Sequence, residues 1–137
     1  MQNPLVKRIV AVVVGVLVAG LVVGVVEGLG HMAFPPPEGL DITDPEDQAR
    51  IMLEIPLAAK ISVVAAWFLG ALAGAWSAIR IASEVIPGWI VGLVMVGLSA
   101  WTTQMFPHPL WMMVSAFVLP LIAVLVAKQL HKARLTA

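Results

Sequence analysis

Four stretches of nearly unbroken apolar residues dominate this chain, and the polar residues gather between and after them. They run from about 5–30, 56–81, 88–106 and 109–127. Each reaches roughly the 20 residues needed to cross about 30 Å of hydrocarbon. Backbone groups in lipid must be satisfied within their own segment, which selects helices. The valines of the first stretch favour a strand in water, but its length decides for a helix in lipid. The pattern predicts an all-α membrane four-helix bundle, with 1–137 as a single transmembrane domain.

The outer loop, about 31–55, reads differently. Pro35-Pro36-Pro37 imposes a short extended segment, because each ring fixes φ and removes a donor. Thr43-Asp44-Pro45-Glu46-Asp47 is a helix start, with Asp44 as N-cap, Pro45 in the first helical position and acidic residues at the positive end of the dipole. Ala49, Ile51, Met52 and Ile55 supply an apolar face. The expectation is a short interfacial helix that bends at Pro56 into the second span. Phe34-Pro-Pro-Pro after span one and Phe106-Pro-His-Pro after span three suggest a weak repeat of two parallel hairpins. Prolines are also common in such turns.

Charge placement sets the orientation. Lys7 and Arg8 precede span one, Arg80 closes span two, and Lys128, Lys132 and Arg134 follow span four. An even number of spans puts all six on one side, which the positive-inside rule makes cytoplasmic. The other side carries Glu38, Asp41, Asp44, Glu46, Asp47 and Glu54 against Arg50 and Lys60. Both termini are expected in the cytoplasm. Formal net charge is zero, giving no reason to expect nucleic-acid binding, and the absence of cysteine excludes disulfides and thiolate sites.

Small residues supply candidate packing faces. Gly20, Gly24 and Gly28 recur every fourth residue in span one, as do Ala66, Gly70, Gly74 and Ala78 in span two, with Gly88 and Gly92 in span three. Such spacing lets helix backbones approach closely. The first two faces are expected to meet each other; homo-oligomerisation or docking of a membrane-protein partner through a glycine face is the alternative. Pro120 is expected to kink span four.

Candidate chemistry is sparse. Glu27 lies near the outer edge of the hydrocarbon, and an ionisable residue inside a span is a functional candidate whose partner should be named. His31 follows one turn later on the same face. Lys60 sits at matching depth in span two and offers an ion pair. Glu27, His31 and His108 are also candidate metal ligands, with the third supplied across the bundle. Thr102, Thr103 and Gln104 form a polar cluster that either lines a cavity with Glu27 or lies at the interface, so Gln104 joins the ligand or proton-binding candidates. His131, in the basic tail, reads as solvated. No nucleophile elbow, phosphate loop or dinucleotide fingerprint is present, and no cofactor is indicated.

Glu27-Gly-Leu-Gly-His31, Phe34-Pro-Pro-Pro-Glu-Gly-Leu-Asp41, Gly70-Ala-Leu-Ala-Gly74 with Ala78-Ile-Arg80, and Phe106-Pro-His-Pro-Leu-Trp111 together carry a resemblance. In that order they resemble an uncharacterised group of small bacterial four-span integral membrane proteins. The resemblance implies the topology and no activity. Small multidrug-resistance transporters share the size and a span-one glutamate, but this chain departs in the depth of its glutamate, its long acidic loop and its second span. The sequence therefore reads as an accessory subunit or a small-ligand or lipid-binding membrane protein, with a proton-coupled transporter using Glu27, or a metal-dependent enzyme, as alternatives.

Overall fold

The computed structural model describes residues 3–136, and among them five helices form and no strand. They are α1 (Pro4–Ala33), α2 (Pro45–Glu54), α3 (Leu57–Ala82), α4 (Ile86–Met105) and α5 (Leu110–Thr136). All but α2 are long and apolar enough to cross a membrane. Their outward surface is apolar as well: Leu17, Leu21, Leu29, Leu93 and Phe117 are each more than half exposed. Water would penalise such a surface at about 25 cal/mol per Å², whereas lipid tails match it.

Local chemistry sets the helix ends. Asn3 caps α1 through its side chain, which accepts from the Leu5 amide at 2.9 Å. Asp44 caps α2 by accepting from the Glu46 amide at 2.8 Å, and Pro45 occupies the first turn, where no N–H partner is needed. Pro56 precedes α3, and Ser83 ends it in the left-handed region (φ 61°). The fourth span departs from expectation by continuing through Lys128 and Lys132 to Thr136. Lysine and arginine are good helix formers, and nothing after Ala127 interrupts them.

The four long helices alternate in direction. Gly15 lies against Gly74 and Ala78, Gly70 against Ala19, and Gly30 against Ser62, so α1 and α3 run antiparallel. Gly88 meets Ile79, and Gly92 meets Val124, which sets α4 against α3 and α5. The bundle thus has a terminal end, with the start of α1, the α3–α4 turn and the end of α5, and a loop end, with the α1–α2 loop and the α4–α5 turn. Arg8 and Glu84 form an ion pair at 2.7 Å across the terminal end. Arg80 stacks there on Trp76, 4.6 Å from the ring centroid.

The expected packing face of α1 is corrected. Gly20, Gly24 and Gly28 are exposed, with open space where a Cβ would stand. The face that meets α3 is Ala11, Gly15 and Ala19, all buried. On α3 the expected Ala66, Gly70, Gly74 and Ala78 are indeed buried. The approach is backbone to backbone: a Cβ on Gly15 would stand 2.8 Å from the Gly74 carbonyl oxygen.

Pro120 lies inside α5 and is fully buried. It has no N–H, so the carbonyl of Ala116, one turn earlier, loses its helical donor. The Ser99 hydroxyl of α4 sits 2.7 Å from that carbonyl oxygen. A side chain from the next helix thus replaces the missing backbone donor, as lipid-embedded proline requires. The same hydroxyl lies 2.8 Å from Met95 O and 3.3 Å from Val96 O on its own helix, so one proton is shared among three carbonyls.

Candidate functional site

Four segments converge on a cavity of about 240 Å³ at the loop end. α1 contributes Glu27, Gly30 and His31, which at spacings of three and four share one face, and Phe34 follows as its C-cap. α3 contributes Ala59, Ser62 and Val63, again one face. Thr102 and Phe106 come from the end of α4, with His108 from the following turn. α2 closes over this space with Ile51, Met52 and Ile55. Ile51, only 7% exposed, anchors it there, and Gln48 ties it to the preceding loop by donating to Ile42 O at 2.8 Å. Both proline turns reach this end, Pro36 from the first and His108 from the second.

The histidine tautomers follow from geometry. His31 Nδ1 lies 2.7 Å from the Glu27 carbonyl oxygen, and His108 Nδ1 lies 2.9 Å from that of Phe106. A carbonyl oxygen only accepts, so in each neutral ring Nδ1 carries the proton and Nε2 keeps its lone pair. His108 is held further by Trp67 and Phe106, with ring centroids 6.1 and 6.4 Å away. The cavity hydroxyls are committed in the same sense. Ser62 donates to Ala59 O at 2.7 Å and Thr102 to Leu98 O at 3.0 Å. The Glu27 carboxylate makes no hydrogen bond or ion pair within the described residues.

Several expected partners do not assemble. Lys60 forms no ion pair with Glu27 among the described residues. The reason is rotational: with Ala59, Ser62 and Val63 facing the cavity, position 60 lies about 100° away from Ala59 round the helix. Gln104 is exposed and lies outside the cavity, because Thr102 and Phe106 define the inward face there. Thr103 is buried and donates to Ala100 O at 2.7 Å. Glu27, His31 and His108 line one cavity, yet no three His, Cys, Asp or Glu side chains among the described residues gather as a metal site. His131, expected in solvent, has Nδ1 enclosed without a hydrogen-bond partner. The α2 side chains Ile51, Met52 and Ile55 were legible as an apolar face but not as the cavity's cover. Phe34 and Phe106 gave no sequence signal beyond their prolines.

The α1–α2 loop carries its own polar structure. Asp41 accepts from the Thr43 amide at 2.8 Å and from the Thr43 hydroxyl at 2.7 Å, while its own amide donates to Asp47 at 2.9 Å. The two bonds from Thr43, the amide first, hold the Asp41 carboxyl below its usual 3.8.

Comparison with protein-family models, with curated proteins and with solved structures found no match to this chain.

Proposed function

We propose that this chain is a small multi-pass protein of the bacterial cytoplasmic membrane that binds a small molecule in its loop-end cavity. In this reading both termini are cytoplasmic, α2 lies at the outer membrane surface, and the cavity faces outward. The observation that carries the reading is a roughly 240 Å³ space with apolar walls, a few polar groups and its own helical cover. Ligand sites have this composition: apolar lining for affinity and a small number of placed polar groups for orientation. Engineered apolar cavities of about 150 Å³ admit benzene, so this one has room for a molecule of about ten non-hydrogen atoms.

The layers beneath the cavity favour binding over passage. Ala11, Ala19, Ala71, Val91 and Met95 are buried in one cluster, and the Gly15 and Gly74 backbones touch. A transported solute would have to part this seam. The basic residues of the terminal end support the proposed orientation. The resemblance to small four-span bacterial membrane proteins supports the same placement. An accessory-subunit role ranks second, on the open space beside Gly20, Gly24 and Gly28.

Native mass spectrometry of the protein released from nanodiscs tests the binding reading. Wild type should carry a non-lipid small-molecule adduct, and Val63→Phe, which fills the cavity, should lose it. A bare wild-type mass, together with no thermal shift across a fragment panel, overturns the reading. A stoichiometric protein partner retained in gentle detergent would favour the accessory role.

A further inference from the structure

Accepting the cavity as a binding site, we propose that its ligand is an organic ammonium ion, seated with its charged head on Glu27. Two independent observations support this: the bonding state of every polar group in the cavity, and the charge on the segments that flank it.

The first is a balance of donors and acceptors. The hydroxyl protons of Ser62 and Thr102 are spent on carbonyls of their own helices, and the Nδ1 protons of His31 and His108 on nearby carbonyls. What these side chains still offer is oxygen lone pairs and two imidazole Nε2 lone pairs. The Glu27 carboxylate adds acceptors only. With both imidazoles neutral, the polar side chains of the cavity therefore present acceptors and no uncommitted donor. An alkylammonium is the matching group, with three donors and no acceptor. A carboxylate or phosphate ligand would find no donor side chain there and a like charge beside it.

Charge points the same way. Glu27 lines the cavity and forms no salt bridge with a lysine or arginine among the described residues. The loop and α2, which lend Pro36, Ile51 and Met52 to the cavity, carry Glu38, Asp41, Asp44, Glu46, Asp47 and Glu54 against Arg50, which is already drawn to Asp47 at 4.0 Å. An excess of carboxylates on the segments that flank an apolar pocket raises the local concentration of cations. The apolar walls then separate an organic cation from a metal ion. Phe34, Phe106 and Met52 match a hydrocarbon body and give a metal nothing in place of its hydration shell, and no three-ligand cluster is present among the described residues.

Three probes of one shape decide the matter: phenethylamine, its neutral isostere phenethyl alcohol, and phenylacetate, each titrated calorimetrically into the full chain in nanodiscs at neutral pH. The amine should bind at least about tenfold more tightly than the alcohol, and phenylacetate should not bind measurably. Glu27→Gln should weaken the amine by about tenfold or more while leaving the alcohol within about threefold, with helix content unchanged by circular dichroism. If the variant does not fold, the wild-type ratio of amine to alcohol decides alone. An amine no tighter than the alcohol, or phenylacetate bound as well, overturns the ammonium assignment and leaves the cavity as a neutral-ligand site. Binding of none of the three overturns the cavity reading and this inference together.

Discussion

The Ser99 hydroxyl illustrates how much a single polar atom can matter inside an apolar bundle. It is 2% exposed and reaches the carbonyl that Pro120 leaves without a donor. Removing it strands an acceptor where no water can serve, a loss of about 1–2 kcal/mol. The dependence on Pro120 makes the claim sharp. In a Pro120→Ala background the helix recovers its own N–H for Ala116, so Ser99→Ala should cost much less there than in wild type. Denaturant unfolding in bicelles, run as a double-mutant cycle, measures the difference, and equal costs in both backgrounds would refute the mechanism. Asp41 gives a pH prediction at the same scale. Its carboxyl titrates below 3.8 in the folded loop because the charged form accepts from Thr43. A lowered folded value means that the ionised form favours the closed turn. The contribution is fully present above the usual value and is lost as pH falls through the lowered one. The Thr43 amide shift, followed by NMR, should therefore move with a midpoint below 3.8; a midpoint at or above that value would show that the turn does not hold the charge.

Helices α1 and α3 show which features of an element its sequence reveals. The existence of the spans and the start of α2 were legible because their signals are local: apolar length, an Asp-Pro cap and a proline stop. The buried stripe of α3 was legible as well, since Ala66, Gly70, Gly74 and Ala78 recur every fourth residue and include both glycines of the helix. The face of α1 was not. That helix is apolar all round, so no amphipathic signal marks its inner side. Ala11-Gly15-Ala19 and Gly20-Gly24-Gly28 are equally small stripes, and only the partner helix breaks the tie. The same rotational blindness misplaced Lys60 and Gln104, each at the expected depth but off the cavity face. Matched substitutions separate the two stripes. Gly74→Ala puts a methyl against the Gly15 backbone and should destabilise by about 1–3 kcal/mol. Gly24→Ala meets open space and should stay within about 0.5 kcal/mol of wild type. Thermal unfolding in detergent, read by helix signal, compares them directly; a large cost at Gly24 would mean that something covers that face.

At the scale of the whole molecule the two ends of the bundle have opposite character. The terminal end gathers Lys7, Arg8, Arg80, Lys128, Lys132 and Arg134, with Glu84 held by Arg8. The loop end carries six carboxylates in its loop and short helix, together with the cavity. In the proposed orientation the cavity would face outward, with the α1–α3 seam between it and the cell interior. Its ligand would then be drawn from outside, and the loop carboxylates would attract a cation before Glu27 does. The chain has no cysteine, so single introduced thiols report the topology without background. Glu38→Cys, in the exposed loop, should react with a membrane-impermeant maleimide in intact cells. Ser83→Cys, in the exposed α3–α4 turn, should react only after the membrane is permeabilised. The reverse pattern would place the cavity in the cytoplasm. The basic residues would then lie outside against the charge rule, and a ligand supplied from within the cell would replace one captured from outside.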